Sequence, residues 1–343
     1  MKILQISDVH LDINATRLGK YKIVDGKNEV YEKRLLLFRR AIYSAIENDV
    51  NLVAICGDVF ERNRPYPVEY ADLIWSLDCL PSRIQVVIIS GNHDELTSKG
   101  CAISTLAGRR ETLFAHFEPF KTTLGLEFPV VLAPWGTDIK DLPDNSILLF
   151  HAGVKSGNAQ WVELDGEVGN ISLDDLTTSN AQAVLLGHHH NQIELSKNIW
   201  YSGSLDVVGD FSEEGDKKGL LLWEIDAKGV SVNPISTNEY VDKFKTFGVD
   251  EFLEYKEKGW EGYVRVKGDV TDKQRLEIVK RISKFKCMDY KLDLKSSVRS
   301  NKVYNLEGKN ETDILTNYLK NKGVKNIEEI VKLDKEINYG KSN

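Results

Sequence analysis

Lys2-Ile3-Leu4-Gln5-Ile6-Ser7-Asp8-Val9-His10 is an aliphatic run that ends in a polar loop carrying a carboxylate and an imidazole. The run is too short for a buried helix and reads as a buried strand. The arrangement recurs along the chain. Asn51 to Cys56 runs into Gly57-Asp58, Ile84 to Ile89 into Gly91-Asn92-His93-Asp94, Ile147 to Phe150 into His151, and Ala181 to Leu186 into Gly187-His188-His189-His190. Amphipathic stretches lie between the runs. Tyr31 to Asn48 places Leu35, Phe38, Ile42, Ala45 and Ile46 on one helical face, and Val68 to Cys79 reads as a second helix. Strands alternating with helices predict a layered α/β fold.

In an open α/β sheet, the loops at the carboxyl ends of the strands converge on one crevice. Asp8, His10, Asp58, Asn92, His151, His188 and His190 are therefore expected to meet there. Asp8 and His10 sit two apart, a spacing that on an extended segment sends both side chains from one face, and His188 and His190 repeat it. Imidazole, carboxylate and amide oxygen together suit borderline divalent metals such as Mn²⁺, Fe²⁺ or Zn²⁺ better than Ca²⁺ or Mg²⁺. These donors exceed what one ion needs. Two ions about 3.5 to 4 Å apart, sharing a carboxylate, would use them all and form a clamp for in-line displacement at phosphorus. His116, outside every motif, and His189, between two candidate ligands, are assigned no ligand role.

Farther along, Val130 to Ala133 is another strand, and the short runs Ile199 to Ser202 and Gly219 to Ile225 predict an antiparallel continuation of the sheet. The first domain is expected to span residues 1–236. Residues 237–300 read as a small α+β appendage: Trp260 to Lys267 as a strand, Thr271 to Phe285 as a helix capped by Thr271 with a stripe of Leu276, Val279 and Ile282, and Asp289 to Leu294 as a strand. Residues 301–343 form a tail with two amphipathic segments, Glu311 to Asn321 and Ile327 to Leu333. The stripe Ile314, Leu315, Tyr318, Leu319 fits either its own domain or a partner helix.

The chain has 343 residues, 41% hydrophobic and 28% charged, a composition that excludes disorder and collagen. Cys56, Cys79, Cys101 and Cys287 have no paired spacing, so neither a disulfide framework nor a thiolate zinc site is expected, and they read as reduced core thiols. The longest apolar runs fall far short of the roughly 18 residues that span a bilayer, and no secretory signal pattern opens the sequence. A cytoplasmic protein without membrane contact is expected. Residues 1–240 carry 22 Lys and Arg against 34 Asp and Glu, whereas residues 241–343 carry 23 against 18. An acidic first part suits a polyanionic substrate only if bound cations supply positive charge where the anion sits. Arg265, Lys267, Lys273, Arg275, Lys280 and Arg281 of the appendage offer a basic face, interrupted by Asp272 and Glu277.

Asp8-Val9-His10, Gly57-Asp58, Gly91-Asn92-His93-Asp94, His151 and Gly187-His188-His189-His190 resemble the five motifs of the calcineurin-like metallophosphoesterases. The resemblance implies a β-sandwich flanked by helices, with a small α+β capping domain. It also implies a first metal held by Asp8, His10, Asp58 and His190, and a second held by Asp58, Asn92, His151 and His188, with Asp58 as the bridge. His93, oriented by Asp94, would stabilise the transition state or protonate the leaving oxygen. The two divalent ions would be Mn²⁺, with Mg²⁺, Fe²⁺ or Zn²⁺ as alternatives.

Three further segments narrow the likeness: Gly57-Asp58-Val59-Phe60 with Arg64-Pro65-Tyr66-Pro67, the Gly91 to Gly100 stretch, and Tyr201-Ser202-Gly203-Ser204 with Asp210-Phe211-Ser212-Glu213-Glu214. They resemble the SbcD-type nucleases, a branch also named for meiotic recombination eleven, over residues 1 to 296. Glu61 stands where that branch usually has Asp. The branch implies a DNA nuclease of double-strand break processing or recombination, in a prokaryotic or virus-infected host cytoplasm. It would work with an SbcC-type, chromosome-maintenance-like ATPase and pair as a homodimer through the 67–79 helix or the 100–120 segment. The alternative is a phosphoesterase acting on nucleotides or other small phosphate compounds.

Overall fold

The computed structural model describes residues 1–97, 100–106, 113–116, 120–122, 126–139, 142–155 and 171–296, with 316, 319, 327 and 328. Met1–Lys295 forms one compact unit and Ser296–Asn343 a second. Apart from those last four residues, the two amphipathic tail segments lie outside the described residues, as does much of the 100–120 segment.

Two six-stranded sheets build the larger unit. The first runs in the order Gly229–Ser236, Gly219–Asp226, Lys2–Ile6, Leu52–Cys56, Gln85–Ile89, Leu113–His116. The second runs Ile193–Ser196, Ile199–Tyr201, Ala181–Gly187, Ser146–His151, Val130–Ala133, Phe120–Thr122. Their central strands are parallel, Ile3 lying opposite Leu52 and His151 opposite Gly187.

Alternation of side chains across each strand sets the layers. Ile3, Ala54, Cys56, Val87 and Ile89 of the first sheet meet Val130, Leu132, Ile147, Leu149, Ala183 and Leu185 of the second, with Trp223 among them. Their neighbours Leu4, Ile6, Val53, Ile55, Val86 and Ile88 point the other way, onto the helices Glu29–Glu47 and Pro67–Asp78. The outer face of the second sheet packs Leu148, Phe150, Val184 and Leu186 against Leu176 of the short helix Leu173–Thr177. Strands covered on both faces read as continuous apolar runs, and each fully buried aliphatic side chain is worth about 1.5–3 kcal/mol. The one polar side chain of the first strand's interior, Gln5, is satisfied twice: its Nε2 donates to Leu186 O at 2.9 Å and its Oε1 accepts from Trp223 Nε1 at 2.8 Å. The fold is the layered α/β sandwich flanked by helices that the sequence led us to expect.

The elements after residue 243 form a separate three-stranded sheet of Phe244–Gly248, Tyr263–Val270 and Asp289–Ser296, with the helices Val249–Glu254 and Asp272–Ile282. Thr271 caps the second helix, its side chain accepting from Gln274 N. The stripe differs from expectation. Ile278 and Ile282 are buried with Phe247, Phe252, Val264 and Val266, whereas Leu276 and Val279 lie exposed. Both stripes share Ile282, and the one at i, i+4 is the one this sheet takes. Two other expectations also change. Ile199–Tyr201 runs parallel, not antiparallel, to Ala181–Gly187, and Cys79 is exposed at the end of its helix.

At Gly187 the two sheets approach closely. A Cβ there would stand 1.8 Å from Cys56 O and 2.9 Å from His151 Nδ1. Gly187→Ala is expected to lower stability by about 1–3 kcal/mol, measured as the urea midpoint, because the crowded backbone must shift. Gly248→Ala, with nothing within 4 Å of its added methyl, is the comparison that should change little.

Candidate metal centre

All the candidate ligands lie at one edge of the sandwich, because the strands that carry them are parallel. Lys2–Ile6, Leu52–Cys56 and Gln85–Ile89 deliver Asp8, His10, Asp58 and Asn92 from the first sheet. Ser146–His151 and Ala181–Gly187 deliver His151, His188 and His190 from the second. The loops are tied to one another by backbone bonds, Asp8 N to Gly57 O and His10 N to Asp58 O, both 3.1 Å.

Asp8, His10, Asp58 and His188 all have positive φ, at 51°, 48°, 48° and 103°. Such conformations cost on the order of 1–3 kcal/mol each and persist only where the surroundings impose them. Asp8 and His10 thus reach the site from left-handed turns, not from the extended segment their spacing suggested. Gly57 and Gly91 make further close approaches: a Cβ would lie 2.1 Å from His151 Nδ1 at the one and 2.1 Å from Asp58 Oδ1 at the other.

The candidate ligands' donor atoms converge in two groups, Asp8, His10 and His190 in one, Asp58, His151 and His188 in the other, and a third cluster joins His10 to Glu61 and His93. His10 Nε2 and His190 Nε2 are 3.1 Å apart, and Asp58 Oδ2 lies 3.8 Å from His10 Nε2 and 3.4 Å from His151 Nε2. Asn92 Oδ1 is 3.2 Å from His151 Nε2 and 3.1 Å from His188 Nδ1. Two ligands each about 2.1 Å from one ion and at about 90° to 109° are separated by about 3.0–3.4 Å, so most of these contacts match edges of coordination polyhedra. Two imidazole nitrogens facing each other fit a cation as their shared partner.

Burial and charge set the protonation of the ring. Burial lowers His10 and, with His151 beside it, brings His188 to about 4, which leaves lone pairs free at neutral pH. Burial would also lower His151, but the Asp58 carboxylate overrides it and raises the imidazole to about 9. Burial opposes the Asp58 charge, yet the facing imidazoles, His151 first, hold its carboxyl below the usual range.

Residues 1–254 match the calcineurin-like phosphoesterases. The chain belongs to that family. It is 24% identical over 306 residues to the SbcD component of the nuclease SbcCD from Staphylococcus saprophyticus, covering 78% of each. Among solved structures, a dimetal phosphatase from Danio rerio matches with 12% identity and a TM-score of 0.42, over 69% of this chain and 99% of that one. A protein of Thermus thermophilus matches with 14% identity and a TM-score of 0.38, over 68% and 98%.

Beside these candidate ligands, His93 and Asp94 part company. His93 Nδ1 lies 3.0 Å from Glu61 O, and its backbone N donates to Asp58 Oδ1 at 2.9 Å. Asp94 does not orient His93. Its buried carboxylate accepts from Val59 N, Phe60 N and Gly91 N at 3.2, 3.0 and 3.0 Å, stitching the Asp58 loop to the Gly91 loop. Burial, then the Asp58 charge, pushes Asp94 up to about 7. His189 turns aside, its Nδ1 accepting from Asn191 N and its ring 5.5 Å from that of Tyr201.

Three contributors were not anticipated. Glu61 Oε2 lies 2.8 Å from His10 Nδ1, and Glu213 Oε1 lies 2.8 Å from His190 Nδ1, so each of the two facing imidazoles has a carboxylate behind it. Trp135, half-buried, holds its ring 4.8 Å from that of His188. Its place just past Val130 to Ala133, a strand parallel to Ser146–His151, is the one sequence signal that points to it.

Asp94→Ala is expected to destabilise the chelated protein by at least about 3 kcal/mol, since three buried N–H groups lose their acceptor. His93→Ala, whose side chain is 38% exposed, should shift the melting temperature little. Equal melting temperatures for wild type and Asp94→Ala would refute the stitching role.

Proposed function

We propose that this chain is a two-metal nuclease of the SbcD type that hydrolyses phosphodiester bonds in DNA. Residues 1–236 serve as the nuclease domain and 237–300 as the cap. The observation that carries this reading is Asp58 Oδ2 between the two donor groups, 3.8 Å from His10 Nε2 and 3.4 Å from His151 Nε2, where one carboxylate oxygen can serve two ions. Likeness to the SbcD component of the SbcCD nuclease over most of the chain supports DNA as the substrate.

Asp8, His10, Asp58 and His190 would hold the first ion; Asp58, Asn92, His151 and His188 would hold the second. When bound, two divalent ions, Mn²⁺ in this reading, supply Lewis-acid charge at the scissile phosphate. That charge offsets the acidic composition of residues 1–240. His93 donates Nδ1–H to Glu61 O, which leaves Nε2 free of the protein; the imidazolium form would give its Nε2 proton to the departing oxygen and be left neutral, a general-acid role worth on the order of 10² to 10⁴ in rate. The cap's basic surface is intermixed with acid: Lys267, Lys273 and Lys280 are exposed, and so are Asp272 and Glu277, while Arg265, Arg275 and Arg281 keep their charge and each donate to a neutral oxygen, Thr246 Oγ1, Leu294 O and Tyr255 O. DNA binding by the chain alone is therefore weak and strongly salt-dependent, and an SbcC-type ATPase supplies the remaining affinity in the cytoplasm. Among the described residues, no helix is long and apolar enough to cross a membrane.

Pairing of two copies would use the 67–79 helix, the alternative 100–120 segment lying largely outside the described residues, with the exposed face of Glu29–Glu47 beside it. Val68 and Trp75, seven apart on Pro67–Asp78, and Leu36 and Tyr43, seven apart on Glu29–Glu47, are about half exposed. Trp75→Glu is expected to turn a dimer into a monomer in sedimentation; a wild type that sediments as a monomer would dismiss the pairing.

The function is tested with linear and hairpin duplex DNA, a small phosphodiester, and Mn²⁺. Manganese-dependent DNA cleavage, abolished by Asp58→Asn and reduced about 10²- to 10⁴-fold by His93→Ala with metal binding retained, is the expected result. Metal-loaded protein that hydrolyses the small diester and leaves DNA intact would favour the phosphoesterase of small compounds instead.

A further inference from the structure

The segment Asp210-Phe211-Ser212-Glu213-Glu214 takes no part in the chemistry above, yet it abuts the centre. It forms a single tight turn over Asp210–Glu213. Glu213, 8% exposed, turns inward: Oε1 meets His190 Nδ1 at 2.8 Å and accepts from Gly209 N, while Oε2 accepts from Val208 N at 3.0 Å and from Lys218 Nζ at 2.6 Å. Lys218 is 1% exposed, and its Nζ also reaches His190 O at 2.9 Å and Ser204 Oγ at 3.1 Å. One buried ammonium thus grips the ligand's backbone directly and its imidazole through a carboxylate. Glu214 faces elsewhere, accepting from Thr246 N of the cap at 2.8 Å.

We propose that Glu213 is a positioning residue for the His190 ligand, with Lys218 as its buried counter-charge. Donation from Nδ1–H to the carboxylate fixes the tautomer, aims the Nε2 lone pair at the position shared with His10 and makes the imidazole a stronger donor. Lys218 is needed because a carboxylate left unpaired at this depth would be costly. The effect is confined to the first ion. His151, a ligand of the second, has the neutral Cys56 O behind its Nδ1, at 2.7 Å.

This inference rests on the two-metal reading, and titration calorimetry separates the two. MnCl₂ is titrated into the chelator-stripped full chain of wild type, Glu213→Gln and Glu214→Gln. Wild type and Glu214→Gln should each bind two ions alike, while Glu213→Gln binds one as wild type does and the other about 10- to 100-fold more weakly. Should Glu213→Gln fail to fold, Glu213→Asp, which keeps the charge but falls short of His190, takes its place with the same expected loss. Wild-type binding by the Glu213 variant, or equal weakening by the Glu214 variant, overturns the positioning role. A wild type that binds fewer than two ions instead overturns the two-metal reading.

Discussion

A buried carboxylate with imidazoles on two sides is the constraint around which this molecule is arranged. Asp58 is almost wholly removed from water, and an anion at that depth is tolerable only where charge or hydrogen bonds answer it. Its Oδ1 takes the N–H of His93, its Oδ2 faces His10 and His151, and Gly91 forgoes a side chain so that the carboxylate fits. Left-handed backbone at Asp8, His10, Asp58 and His188 is strain that the sandwich beneath them sustains.

The sandwich exists to bring two sheets' strand ends to one edge. The first sheet brings mostly carboxylate and amide oxygens, the second only imidazoles. Parallel pairing sends every candidate ligand to the same end, and Gly187 leaves room for the two sheets to approach there. Behind the candidate ligands lies a further layer of charge, Glu61 near His10 and Glu213 with Lys218 behind His190, the latter hydrogen-bonded to its ring.

Much of this was legible in the sequence because strand ends advertise themselves. Aliphatic runs that stop at Asp8, Asp58, Asn92, His151 and His188 name both the elements and the edge they share. What lies behind the ligands was not legible, since burial decides it. Glu213 and Lys218 sit in a run, Glu213-Glu214-Gly215-Asp216-Lys217-Lys218, that reads as solvated surface, and nothing in it tells which glutamate turns inward. Asp94 was misread for a related reason: adjacency to His93 in sequence suggested contact, while the turn sends its carboxylate back to the amides of Val59, Phe60 and Gly91. The strands Gly229–Ser236 and Phe244–Gly248 passed unnoticed because their alternating or mixed polarity lacks the aliphatic run that marked the central strands.

Anomalous diffraction at the manganese absorption edge, from crystals of the full chain soaked in MnCl₂, tests the arrangement most directly. Two peaks about 3.5 to 4 Å apart with the Asp58 carboxylate between them are the expected result. A single peak, or two peaks that do not share Asp58, would contradict the account.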